Sequence, residues 1–428
     1  MSSFRRLLVA VGVVWACACQ VESHLEVVPP FAAKQAALAE GLAVIATLRA
    51  PDDDAHAIAV ATDAVLAQLP VGQWRLVRRY QQVAAVALHV EPIALAALRR
   101  AAQVDEIGPD RSLRTTALAA DVVGATVAHK ALGLTGAGVR IAVIDSGIDA
   151  THPDLKGKVI AEKCFAASGC PGGAAQGSSA KDDNGHGTHV ASLLAGAGKV
   201  APKGIAPGAQ LVAVRTIGVD GTGATSDLLA GLDWVAKQAP ALQIRLINLS
   251  LGSDATFAGG CNQADPAMAK AVALLRKKGV AVFAAAGNGA VAGGLSTPAC
   301  LTGVTSVGAT YSGKYGPLKF GGLCSDKTSG LAALACFSNR SKDLDLAAPG
   351  AFLTGAALGG GTVSRAGTSQ ACPIAVGAAA LLLSCNPALT PDGLQSALQK
   401  TGKPIADPKT GATIPLIQVV PAAALVCP

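Results

Sequence analysis

The sequence predicts an α/β fold: a mostly parallel sheet covered by helices on both faces, preceded by a small α+β domain. Beyond residue 122, apolar β-branched runs (VRIAVID, AQLVAVRTI, IRLINLSL, VAVFAAAGN, GVTSVGAT) alternate with helical blocks (HGTHVASLLAGA, SDLLAGLDWVAKQ, PAMAKAVALLRKK). Continuous apolar strands separated by helices belong to a sheet buried on both faces. From Leu42 to Pro109 the segments are shorter and two strands follow one another without a helix, which fits a two-layer α+β unit. With 51% hydrophobic and 15% charged residues, 428 residues supply core for one large and one smaller domain, which excludes disorder on a large scale.

The chain opens MSSFRRLLVAVGVVWACACQ, with Arg5-Arg6, a short apolar run and small residues at Ala16-Cys17-Ala18. That order is a secretory signal peptide over residues 1–18, and the run is too short for a transmembrane segment. The chain is therefore read as secreted or extracytoplasmic. The alternative is a lipid anchor at the cell envelope through Cys17 or Cys19, although Trp15 makes the pattern before either cysteine an imperfect lipoprotein signal. Residues 19–115 hold the α+β domain: strand LAVIATL, helix AHAIAVATDAVLAQL, strands WRLVRRY and AAVALHV, helix PIALAALRRAA and a last strand near VDEI. The segment DRSLRTTALAADVVGAT that follows starts polar and basic, as an exposed linker open to proteolysis near Arg111 or Arg114 does. Residues 116–428 form the large domain. The net charge of +7 contains no long basic run and aromatics are 3%, so nucleic acid is not an expected partner.

Of 11 cysteines, two lie in the signal region and nine follow from Cys164, a distribution that places disulfides in the exported large domain. Spacing suggests Cys164 with Cys170 and Cys324 with Cys336 as local loops, and Cys261 with Cys300 and Cys385 with Cys427 as longer ones. Nine is odd. Cys372 and Cys385 fall on one predicted helix about 20 Å apart, too far to pair, and Cys372 is the expected free thiol.

Three residues end predicted strands or start predicted helices beside glycines. Asp145 closes VRIAVID, His186 lies in DDNGHGTHVASLLAG at the head of an apolar helix, and Ser369 opens the helix of RAGTSQACPIAVG. Each has a bland reading: an Asx turn for Asp145, a packed histidine, a helix cap for Ser369. His189, three residues after His186, raises the question of a metal, but no HExxH and no third ligand accompany the pair. An acid, an imidazole and a hydroxyl in this chain order are what nucleophilic acyl transfer needs. The imidazole takes the hydroxyl proton, and a buried carboxylate fixes its tautomer. The glycines fit a place where three loops approach closely. No GxSxG surrounds Ser369, which excludes an α/β-hydrolase esterase. The glycines of GLTGAGV precede a strand instead of following it, which excludes a dinucleotide site.

With VIDSGID, HGTHVA and GTSQACP in order, and NLSLG, AAAGN and LAAPG between them, the sequence from about Val122 to its end resembles the subtilase family of subtilisin-like serine proteases. The resemblance implies a secreted serine endopeptidase acting on polypeptide substrates through an acyl-enzyme. Asp145 matches the orienting acid, His186 the general base and Ser369 the nucleophile. Asn288 matches the side-chain donor of the oxyanion hole, working with the Ser369 backbone N–H. Ser250-Leu251-Gly252 and Gly221-Thr222-Gly223 match the two edges that pair with an extended peptide. Ala285, Ala286 and Gly287 would line the pocket for the residue before the cleaved bond, and their small uncharged walls favour an apolar or neutral side chain. The α+β domain resembles the family's propeptide, which assists folding, inhibits the enzyme and is cut off by it. A monomer is expected.

The sequence departs from the family pattern in four places. Gln370 follows the nucleophile where Met is frequent, Ile374 stands where His is common, and Ser192 replaces a common Gly. The stretch GKVAPKGIA, 198–206, is short and lysine-bearing where many relatives carry a calcium loop. Asp154 survives, but one carboxylate is a poor site for an ion wanting six or more oxygens. No cofactor is expected for catalysis and that calcium site is expected to be missing, while structural calcium at another site stays open.

Overall fold

The computed structural model describes residues 14–16, 42–109, 118–167, 169–331 and 333–428. Apart from Val14–Ala16, the expected signal peptide lies outside the described residues, as do Cys17, Cys19 and the basic linker at Arg111 and Arg114. The rest falls into two compact units.

Residues 42–109 build a four-stranded antiparallel sheet in the order Trp74–Arg79, Ala85–Val90, Leu42–Leu48, Val104–Pro109. Alternate residues Val44, Ala46 and Leu48, with Val86, Leu88 and Val90, share a core with Ile58, Ala61 and Val65 of helix Ala55–Leu66 and Leu98 of helix Pro92–Leu98. Asp54 starts the first helix by accepting the Ala57 N–H at 2.9 Å. Every element expected in this unit is present.

The second unit carries a nine-stranded sheet in the order Lys403–Ala406, Thr413–Leu416, Leu346–Ala351, Val304–Tyr311, Ala281–Ala285, Ile244–Leu249, Arg140–Asp145, Gln210–Arg215, Val159–Cys164. All neighbours are parallel except the Lys403–Ala406 and Thr413–Leu416 pair. Strand Arg140–Asp145 is apolar from Ile141 to Ile144 because both its faces are covered. Ile141 and Val143 lie in the core on the side of helix His186–Ala195, while Ala142 and Ile144 lie in the core on the side of helix Thr225–Leu242. Thr368–Cys385 is long and apolar enough to cross a membrane, but it is the buried core helix.

Some elements escaped the sequence pattern. Edge strand Val159–Cys164 carries Glu162 and Lys163 and shows no apolar run, and the hairpins Leu353–Ala356/Thr362–Arg365 and Leu318–Phe320/Cys324–Asp326 are three or four residues per strand. All four cysteine pairs suggested by spacing are bonded, and Cys372 is a buried free thiol.

Candidate active site

Register brings the carboxyl ends of three adjacent strands level. Ile144 faces Leu249, which faces Ala284, so the residues that follow, Asp145, Ser250 and Ala285, end the strands side by side. Open α/β sheets present their functional groups at this edge.

Asp145 Oδ1 accepts from His186 Nδ1 at 2.8 Å and from the Ser146 N–H at 2.7 Å, with both side chains buried. A carboxylate only accepts here, so Nδ1 carries the proton and Nε2 is the basic nitrogen. His186 begins helix His186–Ala195, whose first turn Asp182 anchors. Asp182 Oδ1 accepts from the Gly185 N–H and Ser146 Oγ, and Oδ2 from the Thr188 N–H and hydroxyl. Ser146 Oγ in turn accepts from the Gly187 N–H, which ties the Asp145 loop to the His186 helix. Gly187 is required at that contact, since a Cβ there would lie 2.1 Å from the Gly147 carbonyl oxygen.

His189 lies inside the same helix and is wholly buried. Burial, then the charges of Arg365 and His186, push its pKa down to about 3. Its Nε2 is 3.2 Å from the carbonyls of Leu353 and Val363, so that nitrogen carries a proton and donates to them. Ser192, where the family commonly has Gly, accepts from the Ala356 N–H and donates to the His189 carbonyl, fastening the same hairpin.

Ser369 is the second residue of helix Thr368–Cys385, and its Oγ is buried with no hydrogen-bond partner among the described residues. Pro373 lacks the N–H that would have bonded the Ser369 carbonyl along the helix. The Ser250 hydroxyl takes that place at 2.8 Å and itself accepts from Asn248 Nδ2. The base at Asp145 and the helix bearing Ser369 are thereby fastened to level positions on neighbouring strands, about 4.8 Å apart by ordinary strand spacing. Asn288 follows strand Ala281–Ala285, and its Oδ1 accepts from both the N–H (2.8 Å) and the hydroxyl (3.0 Å) of Thr368. With the carbonyl end held, Nδ2 faces away from Thr368. The Thr368 hydroxyl also accepts from the Gly287 N–H at 3.1 Å.

Residues 136–413 match the subtilase family. The chain is a subtilase. It is similar to an alkaline protease of Alkalihalobacillus alcalophilus, 32% identical over 343 residues and 79% of each chain. An extracellular serine proteinase of Thermus sp. (strain Rt41A) is 35% identical over 325 residues, covering 73% of this chain and 69% of that one. The crystal structure of a cold adapted subtilisin-like serine proteinase superposes with a TM-score of 0.52 at 29% identity, covering 67% of this chain and 90% of the other. As a member of this family the protein is a serine protease that hydrolyses peptide bonds.

In this subtilase, strand Thr222–Ala224, next to Gly221, presents an edge on which Val14–Ala16 pairs antiparallel. That edge therefore has the geometry to take an extended segment. Leu251 and Ala286 send their side chains into the core. Gly287 has φ 104°, and a Cβ there would meet Asn339 Nδ2 at 2.3 Å and Ser296 Oγ at 2.4 Å. A Cβ on Gly252 would meet Ser296 Cβ at 3.3 Å, so Ser296 packs against both glycines.

The Asp154 carboxylate does not fit a calcium ion. Its oxygens accept from the consecutive N–H groups of Lys199, Val200 and Ala201, and oxygens facing three donors are not presented to a cation. Among the described residues, no group of three or more His, Cys, Asp or Glu is arranged to hold a metal.

The residues the sequence did not reveal are Thr368, Ser146 and Asp182. Thr368 lies inside the GTSQACP block, yet only contact with Asn288 distinguishes it from an ordinary helix-start threonine.

Proposed function

We propose that Ser369 is the nucleophile of this subtilase, His186 its general base, Asp145 the orienting carboxylate and Asn288 the oxyanion donor. The observation that carries this reading is the 2.8 Å bond from His186 Nδ1 to Asp145 Oδ1 at the sheet edge that also anchors Ser369. Nε2 takes the Ser369 hydroxyl proton as Oγ attacks the peptide carbonyl carbon. The negative oxygen that forms is stabilised by Asn288 Nδ2 and the Ser369 N–H, at the positive end of the central helix. The carbon–nitrogen bond then breaks, and the amine leaves with the proton that Nε2 returns. Water, deprotonated by the same nitrogen, hydrolyses the acyl-enzyme and restores Ser369. Losing the Asn288 donor should cost about 3 to 4 kcal/mol in the barrier, a magnitude known for a subtilisin.

Substrate lies extended between Gly221-Thr222-Gly223 and the backbone of Ser250-Leu251-Gly252. The pocket lined by Ala285, Ala286 and Gly287 takes an apolar or neutral residue before the cleaved bond. Residues 19–115, of which the structure describes 42–109, are the propeptide, inhibiting the enzyme until the enzyme itself cuts it off. The enzyme acts outside the cytoplasm as a monomer and needs no cofactor for catalysis. Extracellular location is supported by the name of the Thermus relative.

A fluorescent phosphonate should label the wild-type chain and leave Ser369→Ala unlabelled, and the variant should accumulate at full precursor mass. Labelling of the variant would remove Ser369 as nucleophile. Processing of the variant at the same site and rate would remove self-maturation.

A further inference from the structure

Asn288 stands between Gly287 and Gly289, two residues with little conformational preference of their own. A donor that must meet an oxyanion cannot rely on such a backbone. Thr368 fixes the end of the side chain, and something else must fix the chain that carries it.

The segment Phe337–Arg340 does so. Asn339 N–H donates to the Gly287 carbonyl at 2.8 Å, and the Ala290 N–H to the Phe337 carbonyl at 2.8 Å. Arg340 N–H donates to the Val291 carbonyl at 3.0 Å, and its own carbonyl accepts from Gly293 at 2.7 Å. The Asn339 side chain joins both sides of the loop. Its Oδ1 accepts from the Val291 N–H at 3.0 Å, and its Nδ2 donates to Ser296 Oγ at 3.3 Å. The bracket is itself braced by Arg340, whose guanidinium donates to the carbonyls of Ser338 and Ala335 and to Asp407 Oδ1 at 3.1 Å. Both members of that ion pair are buried, and Asp407 belongs to the turn after strand Lys403–Ala406.

We propose that Asn339 is a positioning residue for Asn288, held in place by the buried Arg340–Asp407 pair. Asn339 touches neither substrate nor reacting atoms in this arrangement. It sets the direction of the Gly287–Val291 loop and so the position of Asn288 Nδ2. The proposal rests on the reading of Asn288 as oxyanion donor.

The processed enzyme tests it. Asn339→Ala should lower kcat by roughly 10- to 100-fold, the scale of an ångström-sized misplacement, with KM changed little. Affinity for a peptide aldehyde, which forms a tetrahedral adduct, should fall by the same factor. Asn339→Asp keeps an acceptor for Val291 and can accept from the Ser296 hydroxyl, so it should recover most of the loss. In an Asn288→Ala background, Asn339→Ala should have no further effect on kcat, because the group it positions is gone. Should Asn339→Ala fail to fold, Asp407→Asn leaves Asn339 intact and loosens its brace, and should shift kcat and aldehyde affinity together in the same direction. A folded Asn339→Ala enzyme with wild-type kcat, or a loss that multiplies in full with Asn288→Ala, overturns the proposal. If Asn288→Ala itself leaves kcat unchanged, the reading of Asn288 falls and takes this inference with it.

Discussion

Asp145, His186, Asn288 and Ser369 stand out as candidates in the sequence through the ordered motifs that carry them, whereas each alone reads as a turn, a cap or a packed side chain. Thr368, Ser146 and Asp182 do not stand out, since a lone polar residue near a helix start looks the same whether it caps a helix or steers a neighbour's side chain. Ser250 was read for its backbone, while its hydroxyl supports the Ser369 carbonyl that Pro373 leaves without a helical partner. His189, for which the missing third ligand argues against a metal role, is a neutral donor to two carbonyls. Its pKa, lowered to about 3 chiefly by burial, has a consequence for stability. An unfolded histidine takes up a proton below about pH 6.5 while the folded one refuses it, so stability is full above that value and falls toward pH 3. The slope from this one group is on the order of 1 kcal/mol per pH unit. Urea unfolding in a Ser369→Ala background should show His189→Gln, which keeps a donor but cannot titrate, losing less stability between pH 7 and 5 than the chain that retains His189. Equal losses would mean that His189 titrates alike in both states.

At the scale of elements, length and apolar continuity decided what could be read. Most inner strands of five to eight residues and the long helices beside them announced themselves, because burial on both faces removes polar residues from them; the buried inner strand Leu346–Ala351 did not, since its Ala, Pro and Gly residues carry no β-branched run. The edge strand Val159–Cys164 and the short hairpins carry polar residues on their open sides and left no such trace. The segment Lys199–Ala201 was recognised only as a departure from a calcium loop, and its contacts give it a physical role. Burial raises the Asp154 pKa, but the N–H groups of Ala201, Lys199 and Val200, aided by His152, outweigh it and the net shift is downward. The contribution of Asp154 to stability is therefore present above the ordinary carboxylate range and lost as pH falls through the lowered value. Asp154→Ala should lower stability at pH 7 by about 2 to 3 kcal/mol, since three amides lose a charged acceptor. The difference in midpoint between Asp154→Ala and the native chain should be the same with and without EDTA, because amides and not a cation face this carboxylate. A large drop with EDTA would place a structural cation elsewhere in the fold, and an unchanged midpoint in Asp154→Ala would show the amide cluster to be held by its surroundings alone.

For the whole molecule, the cysteines show how far spacing alone reaches: the local pairs close short loops, and the odd thiol is the one that the helical rise keeps from its neighbour Cys385. Cys372 is fully buried, and burial, against bonds to Leu249 and Ser250, raises its thiol pKa, so it stays protonated and inert beneath the site. The Cys385–Cys427 bond spans 42 residues and ties the end of the core helix to the chain end beyond helix Val419–Val426. Closing a loop of that length should destabilise the unfolded chain by about 4 kcal/mol, against about 2 kcal/mol for the Cys164–Cys170 bond, which spans six residues. Replacing Cys385 and Cys427 together by serine in the Ser369→Ala background should therefore lower stability more than the same exchange at Cys164 and Cys170, by a difference of about 2 kcal/mol. Denaturant midpoints at a common pH measure this, with the slopes compared to confirm that both variants unfold the same surface. The reverse order would mean that the long loop is already restrained in the unfolded chain. The short bond would then matter through the native contacts of Arg215 with the Gly169 and Lys181 carbonyls beside it.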